Sequence, residues 1–167
     1  MFDMSEVFET FFQDFEIDQG NVLDLGCGAG EPFATTFIKR GWTVTGVDFS
    51  KRMLELATKY APEMRVIHDD MRHVEFRPEQ FDAVTIIYAL FHLPSNEHEA
   101  MFEKIFNWLR PQGKLLFTYA TQEYTGQPEC DGYLGFMGQQ LYYGHKSPDR
   151  LYTDLEAIGF DILSRDF

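Results

Sequence analysis

The sequence predicts an α/β fold, a mainly parallel sheet with helices packed against it, as one domain over residues 1–167. Two observations predict it. Apolar runs of strand length alternate with segments whose apolar residues recur at helical spacing, as in parallel sheets built from right-handed crossovers. The length of 167 residues is also that of one domain with a sizeable core.

Five strands are predicted in the first two thirds of the chain. The fourth is almost entirely apolar, as expected for a central parallel strand covered on both faces. The predicted strands cover 22–25, 43–48, 64–68, 81–88 and the residues that follow a turn at 109–113. A sixth is predicted over 160–167.

Helices are predicted between these strands and at the N-terminus. Residues 1–16 place four phenylalanines at helical spacing, which predicts a helix that faces the core. Further helices are predicted over 33–40, over 51–60, after a cap at Ser95 with Phe102, Ile105, Phe106 and Leu109 inward, and from 147 to Gly159 with Leu151, Leu155 and Ile158 inward.

A glycine-rich loop follows the first strand and precedes a helix start. Gly26, Gly28 and Gly30 let the backbone turn sharply and let a ligand lie directly against it. Unpaired N–H groups at a helix N-terminus add positive character at the same place. The loop therefore predicts a cofactor site. A dinucleotide fingerprint would need its third glycine where this chain has Glu31, so NAD is disfavoured.

Together with Asp24, these glycines form Asp-x-Gly-x-Gly-x-Gly, which resembles the first motif of class I S-adenosylmethionine-dependent methyltransferases. The resemblance is strong over 21–117 and looser over 144–167. It implies a three-layer Rossmann-like methyltransferase sandwich that binds S-adenosyl-L-methionine. It also implies that Asp24 reaches the ammonium group of the cofactor, directly or through water, while the loop packs on its methionine end. The implied loop contacts are Gly26, Cys27, Gly28 and Gly30.

The second strand ends in Asp48, about twenty residues past the loop, where a carboxylate can accept hydrogen bonds from both ribose hydroxyls. A helix cap is the alternative role. The resemblance implies that Phe49 packs against the adenine ring. Met53 and Tyr88 complete this part of the predicted cofactor site.

The segment after the third strand resembles the family's third cofactor segment. It implies that Asp70 accepts a hydrogen bond from the adenine amino group and that Met71 offers its backbone N–H to a ring nitrogen. His68, Asp69 and His73 lie beside them and are metal-ligand types. Such residues spread across a strand end rarely converge, so no metal site is predicted.

Residues 89–94 resemble the family's fourth motif in its small-molecule branches. The Asn-Pro-Pro-Tyr signature of nucleobase N-methylation is missing. Tyr88 and His92 fall at the carboxyl end of the fourth strand, where open α/β sheets bind ligands. They are weak catalytic candidates, and so is His145. His92 is a general base or a histidine that fixes the loop.

The segment of about 120–146 is aromatic and interrupted by glycines, and so long a connection is usually functional or mobile. In the family the insertion after the fifth strand covers the substrate. A packed structural loop is an equally open interpretation. The candidates for a substrate wall are Phe136, Met137, Tyr142, Tyr143 and His145.

The formal charge of −13 disfavours nucleic acids and anionic membranes as partners. No signal peptide or bilayer-spanning run is visible, and Cys27 and Cys130 fit free thiols, so a cytoplasmic location is expected. The family's last antiparallel strand is expected to be missing. The free edge of the fifth strand is then expected to favour a homodimer.

The sequence therefore predicts S-adenosylmethionine-dependent methyl transfer to a small-molecule acceptor. Alignment of the nucleophile with an activated methyl carries much of the rate of such a reaction, so no strong catalytic dyad is required. One alternative is a module that binds the cofactor without turnover, and a less favoured one is a NAD-type oxidoreductase. The acceptor, and whether it is methylated on oxygen, nitrogen, carbon or sulfur, is left open.

Overall fold

The computed structural model describes residues 4–165 and shows a five-stranded parallel sheet covered by helices. The helices are α1 (Ser5–Gln13), α2 (Phe33–Lys39), α3 (Lys51–Tyr60), α4 (His98–Trp108), α5 (Gln122–Thr125) and α6 (Pro148–Ile158). The strands are β1 (Asn21–Leu25), β2 (Thr43–Asp48), β3 (Arg65–His68), β4 (Phe81–Ile86), β5 (Leu109–Phe117), β6 (Cys130–Phe136) and β7 (Gln139–His145).

The sheet order is β3-β2-β1-β4-β5, and every pairing in it is parallel. β1 is central: Leu23 lies opposite Thr45 of β2, and Asp24 lies opposite Thr85 of β4. The chain crosses from β3 to β4, so the strand order reverses between β1 and β4. Open α/β sheets bind ligands at the carboxyl ends of the strands that flank such a reversal.

Two core clusters lie on the two faces of the sheet, and alternate residues of β1 separate them. Leu23 and Leu25 belong to the cluster with α4 and α6, whereas Val22 belongs to the cluster with α1, α2 and α3. The predicted three-layer sandwich with a mainly parallel sheet is confirmed. Both cysteines are buried free thiols, as predicted.

The N-terminal helix faces the core, as its phenylalanine spacing predicts. Phe8 and Phe11 are buried, and their ring centroids lie 5.8 and 6.3 Å from that of Phe37 in α2. Phe12 lies 4.8 Å from the same ring. The part of this prediction that covers residues 1–3 lies outside the described residues.

The segment 120–146 forms the short helix α5 and the antiparallel hairpin β6–β7, where the sequence predicts a long irregular connection. Phe136 pairs with Gln139, so the turn has two residues, Met137 and Gly138, with φ of 49° and 81°. Turns of this kind match the twist of paired strands. The sequence pattern misses the hairpin because glycines interrupt both strands and the turn lacks the common Asn-Gly pair.

Two predictions around α4 were wrong. Ser95 does not cap the helix: it begins a 3₁₀ turn, Ser95–Glu97, and its hydroxyl donates to Asp131, so α4 begins at His98. Phe106 was predicted to face inward but is 44% exposed, with its ring 5.1 Å from that of Phe160.

The strand predictions were wrong at two ends. β4 stops at Ile86 instead of residue 88, because Tyr88 has a positive φ of 55° that leaves the extended conformation. Residues 160–165 form no strand; Phe160 and Ile162 pack against the cluster of α4 and α6. The remainder of that prediction, 166–167, lies outside the described residues. β5 thus pairs with β4 alone within the described part of the chain.

Candidate functional site

The glycine loop, residues 26–30, lies at the carboxyl end of β1, beside the reversal of strand order. The backbone N–H groups of Gly26 and Cys27 donate to the carbonyl of Val47 at 2.8 and 3.1 Å, which anchors the loop on β2. The N–H of Gly30 donates to the carbonyl of Cys27 at 2.9 Å and closes the turn. The sequence motif therefore folds into a compact loop at the edge where ligands bind.

The three glycines of this loop all have positive φ, but they face different surroundings. A Cβ on Gly26 would lie 2.4 Å from the Cβ of Ala89, and one on Gly30 would lie 2.7 Å from that of Ala61. At Gly28, nothing lies within 4 Å of the Cβ position. Gly26 and Gly30 are required by packing, whereas Gly28 leaves open space against the backbone, where a ligand fits.

Asp48, at the end of β2, ties the glycine loop to the start of α3. One carboxylate oxygen accepts from the N–H of Gly28 and the other from the N–H of Ser50, both at 2.8 Å. The helix cap is Ser50, whose hydroxyl accepts from the N–H of Met53 at 3.4 Å, so Asp48 itself does not cap the helix. Each carboxylate oxygen keeps a second lone pair for another donor.

Asp24 lies buried beneath the loop. Its Oδ1 accepts a hydrogen bond from the hydroxyl of Thr85 on β4 at 2.8 Å. Burial raises the pKa of Asp24 to about 6, against the lowering effect of this hydrogen bond, and the negative charge of Asp48 adds to the rise. A buried carboxylate of this kind gains most from a cationic ligand, which would stabilise its charged form.

Cys27, within the loop, is an inert packing residue. Burial raises the pKa of its thiol far above the ordinary value, and the charges of Asp24 and Asp48 raise it further. The two carboxylates beside the loop favour a cation over a phosphate there.

Two apolar side chains beyond β2 face solvent. Phe49 is 76% exposed and Met53 is 42% exposed, although both are large apolar residues beside a core. The Nε2 of His68, at the end of β3, lies 2.9 Å from the carbonyl oxygen of Phe49 and fixes that backbone. The arrangement offers an apolar surface for a planar ring at the position where the sequence predicts adenine binding.

Asp70 is paired within the protein. Arg72 donates to both of its carboxylate oxygens, at 3.0 and 2.6 Å, and donates to Glu97 at 3.1 Å. The hydrogen bond from Arg72 lowers the pKa of Asp70. Met71, the next residue, is half-buried and packs against the core. Among the described residues, no group of three or more His, Cys, Asp or Glu side chains is placed to hold a metal ion.

Tyr88 follows β4 in a left-handed backbone conformation, which costs a residue with a Cβ roughly 1 kcal/mol. Its N–H donates to the hydroxyl of Thr118, after β5, at 2.6 Å. Its side chain is 40% exposed, and its ring centroid lies 6.2 Å from that of Phe33 at the start of α2. Ala89 contacts the glycine loop at Gly26, so Tyr88 stands directly beside that loop.

The hairpin β6–β7 packs against the loop that follows β4. Asp131 of β6 accepts from the N–H and hydroxyl of Ser95, at 2.7 and 2.5 Å, and from the hydroxyl of Tyr142 at 3.0 Å. Burial would raise the pKa of Asp131, but these hydrogen bonds outweigh it and lower the pKa. The ring of Tyr143 stacks on Phe91 at a centroid distance of 5.5 Å. The hairpin is therefore clamped to one side of the site.

The two histidine candidates have different environments. The Nδ1 of His92 lies 2.9 Å from the carbonyl oxygen of Tyr142. Because a carbonyl only accepts, Nδ1 carries the proton and the neutral ring keeps a lone pair on Nε2. His92 is exposed, whereas His145 is buried with Nε2 2.8 Å from the hydroxyl of Thr125 and Nδ1 3.2 Å from the carbonyl oxygen of Lys146.

A second buried histidine links the start of α4 to the segment that follows β5. His98 has Nε2 3.1 Å from the carbonyl oxygen of Leu93 and Nδ1 3.3 Å from the hydroxyl of Tyr119, which accepts from the N–H of Lys146 at 2.9 Å. Burial lowers the pKa of His98 and raises that of Tyr119 to about 12, so both stay neutral at pH 7.

The structure thus brings the predicted residues of strands β1, β2 and β4 to one edge. Phe136 and Met137, two of the predicted wall residues, lie instead at the exposed turn of the hairpin. Sequence reasoning missed Thr85 and Asp131, because the partner of Thr85 is distant in sequence and Asp131 belongs to an unpredicted hairpin; it also missed Arg72, which pairs with Asp70 two residues away. Their residue types alone carry no signal for such contacts.

Comparison with known proteins finds the same family that the sequence motifs resemble. The family model described as a methyltransferase domain matches residues 22–113. The trans-aconitate 2-methyltransferase of Enterobacter sp. is 38% identical over 102 residues, which cover 59% of this chain and 38% of that protein. The chain spans about two fifths of the length of the curated relatives it matches.

Solved structures share the fold. An S-adenosylmethionine-dependent methyltransferase from Mesorhizobium loti aligns with a TM-score of 0.79 at 19% identity, covering 96% of this chain and 82% of the other. The 1,6-didemethyltoxoflavin-N1-methyltransferase of Burkholderia thailandensis, solved with its acceptor and S-adenosylhomocysteine, aligns with a TM-score of 0.69 at 21% identity, covering 96% and 67%.

Proposed function

This chain belongs to the methyltransferase-domain family, as a class I S-adenosylmethionine-dependent methyltransferase, and we propose that it transfers the methyl group of S-adenosylmethionine to a small-molecule acceptor. One observation carries the proposal: open space over Gly28, with a buried carboxylate beneath the loop and exposed aromatic residues on either side. When bound, S-adenosylmethionine supplies a methyl group already activated by its sulfonium.

The cofactor site follows from these surroundings. Asp24 would face the ammonium group: its carboxylate is buried and accepts from the hydroxyl of Thr85, and within residues 4–165 no salt bridge to it is formed. Asp48 would use its remaining lone pairs for the ribose hydroxyls while it holds Gly28. The exposed surface of Phe49 and Met53 would take the adenine. Met71 would offer its backbone N–H to a ring nitrogen of the adenine. Because Asp70 is paired with Arg72, we propose that Asp70 positions Met71.

The acceptor side is the mouth between α1, the ends of β4 and β5, and α5. An open groove runs along the edge of β5, and one end of it reaches this region. The residues that line it here are Met4, Val7, Tyr88, Thr118, Thr121 and Tyr124. Glu123 of α5 also lines it, so this part of the groove joins apolar and neutral side chains to a carboxylate, which supports a small acceptor with an apolar body and a polar group. The net charge of −13 argues against a nucleic acid.

His92 is the better of the two histidine candidates for a general base. Its Nδ1–H donates to the carbonyl oxygen of Tyr142. Nε2 is therefore left to take a proton from the molecule that is methylated. His145 has both ring nitrogens occupied in the interior, which supports a structural role. The exposed position of His92 and the clamped hairpin beside it support this choice.

The test is a turnover assay that does not depend on guessing one acceptor. The chain is incubated with S-adenosylmethionine and separate pools of phenols, amines, thiols and carboxylic acids, and S-adenosylhomocysteine is quantified by mass spectrometry. Formation of S-adenosylhomocysteine that depends on an acceptor in any pool supports the proposal. Where the reaction needs a base, this product should be lost in His92→Ala. Cofactor binding with no turnover in any pool would favour the alternative, a module that binds the cofactor without reaction.

We further propose that the chain is not a NAD-type oxidoreductase and that it is cytoplasmic. A NAD-type oxidoreductase is disfavoured by the family and by Glu31 at the third fingerprint position. A cytoplasmic location rests on the two free thiols. Among the described residues, no helix has the length and apolar character needed to cross a bilayer.

A further inference from the structure

We propose that the ring of Tyr88 forms the face against which the sulfonium of S-adenosylmethionine lies, so that the site binds the charged cofactor in preference to its neutral demethylated product. This inference rests on the proposed function. It adds a specific role for Tyr88, a residue whose backbone and surroundings are otherwise unexplained.

The first support is the backbone of Tyr88. An aromatic residue at a φ of 55° is uncommon, and such strain persists only where the surroundings over-determine it. Here the N–H of Tyr88 is held by the hydroxyl of Thr118 at 2.6 Å, while the next residue, Ala89, is packed against Gly26. Both neighbours fix the direction in which the side chain leaves the end of β4.

The second support is exposure. The ring of Tyr88 is 40% exposed although it follows a strand in which every residue is buried. Only one aromatic neighbour contacts it among the described residues, Phe33, at a centroid distance of 6.2 Å and an interplanar angle of 52°. Phe33 is itself stacked on Phe8 of α1 at 5.5 Å, so the pair is anchored from behind and its remaining face is available.

The third support is charge. Two carboxylates make this end of the site negative: Asp24 is buried beneath the loop, and Asp48 accepts from the N–H of Gly28 at 2.8 Å. Arg72, beside the Asp70 segment, is paired with Asp70 and Glu97, and Lys51 and Arg52 are exposed in the first turn of α3. A cation beside the glycine loop therefore meets an aromatic face and a negative field together.

The consequence is selectivity at the reacting end of the cofactor. S-adenosylmethionine carries a positive sulfur that a ring quadrupole attracts, whereas S-adenosylhomocysteine carries a neutral thioether there. All other groups of the two molecules are the same. The contact with Tyr88 would be lost on methyl transfer, which favours exchange of product for fresh cofactor.

The experiment is calorimetric titration of each ligand into wild type, Tyr88→Leu, Tyr88→Phe and Tyr88→Trp. Leucine has the same Cβ in the left-handed backbone as tyrosine, so the strain at this position is unchanged. We expect Tyr88→Leu to weaken binding of S-adenosylmethionine about tenfold and that of S-adenosylhomocysteine less than about threefold. Phenylalanine keeps the wild-type ratio of affinities, and tryptophan, the stronger cation–π partner, raises it.

Phe49→Leu is the matched control, because Phe49 is also an exposed aromatic residue at a strand end but would face the adenine. It should weaken both ligands to the same degree. Thr118→Val should reproduce part of the selective loss, and Thr118→Ser, which keeps the hydroxyl, should restore the wild-type ratio. An equal loss of both affinities in Tyr88→Leu, or no loss, overturns the inference. Wild type that binds neither ligand overturns the proposed function instead.

Discussion

At the scale of single residues, the two carboxylates under the glycine loop divide the work. Asp48 accepts from the backbone N–H groups of Gly28 and Ser50 and so shapes the loop, and each of its oxygens keeps one lone pair for a ligand. Asp24 has one hydrogen bond, from Thr85, and burial raises its pKa to about 6. Asp48 thus stabilises the loop. Burial of the Asp24 carboxylate instead costs stability, which a cationic ligand would offset.

The sign of this cost follows from the direction of the shift. Since the pKa of Asp24 is higher in the folded chain than its ordinary value of 3.8, the folded state binds the proton more tightly. The stability gained from protonation of Asp24 is therefore complete below about pH 4. It falls between about pH 4 and 6 and is absent at pH 7. Asp24→Asn should therefore raise the free energy of unfolding at pH 7 by about 1–3 kcal/mol and make little difference near pH 4.

The same variant should weaken binding of S-adenosylmethionine about tenfold or more at pH 7, because the charge that faces the ammonium is removed. In wild type the affinity for S-adenosylmethionine should decrease as the pH is lowered past about 6, because protons compete for Asp24. In Asp24→Asn the affinity should not change over this range. Urea denaturation and calorimetry measure the two effects. Glu31→Gln, an exposed carboxyl group in the same segment, is the control that should change neither. A less stable Asp24→Asn with unchanged affinity would refute this role.

At the scale of elements, the hairpin β6–β7 is the part of the site that the sequence did not predict. Its strands are half-exposed and interrupted by glycines, so neither alternation nor a strong apolar run marks them. Its contacts with the loop after β4 converge on Asp131. By contrast, the glycine loop and the residues after β2 could be predicted, because their roles depend on local backbone geometry and position along a regular fold.

Asp131→Ala should release this clamp. It removes two hydrogen bonds from Ser95 and one from Tyr142, each made to a charged carboxylate, and should cost about 1–3 kcal/mol of stability. Hydrogen exchange followed by mass spectrometry should show faster exchange in β6 and β7 with little change in β1. Gln140→Ala, an exposed change in the same hairpin, should leave exchange as in wild type. Equal exchange in both variants would show that Asp131 is not the clamp.

At the scale of the whole molecule, the position of the site is set by topology. The order β3-β2-β1-β4-β5 places the carboxyl ends of β1 and β4 side by side, where the strand order reverses. The alternation of strands and helices allowed the parallel sheet to be predicted, but not the strand order or its reversal, which depend on contacts between strands that are distant in sequence. It did not allow the course of residues 160–165 to be predicted, because their apolar side chains pack on the core of α4 and α6 without forming a strand.

The free edge of β5 leads to a prediction for assembly. Within the described residues this edge has no strand partner, and such edges favour pairing with another chain. We expect a homodimer that salt strengthens, because the charge of −13 on each chain opposes association. Light scattering at rising concentration should approach twice the 19.5 kDa mass of the chain. A single-chain mass at every concentration and salt level would contradict dimerisation.

The most direct test of the central claim is calorimetric titration of S-adenosylmethionine, S-adenosylhomocysteine and NAD into wild type and Asp48→Ala. We predict that wild type binds the first two ligands and not NAD. Asp48→Ala should bind both about tenfold or more weakly, because it loses the ribose contacts and the hydrogen bond that holds Gly28. Binding of NAD alone, or unchanged affinities in Asp48→Ala, would contradict the account.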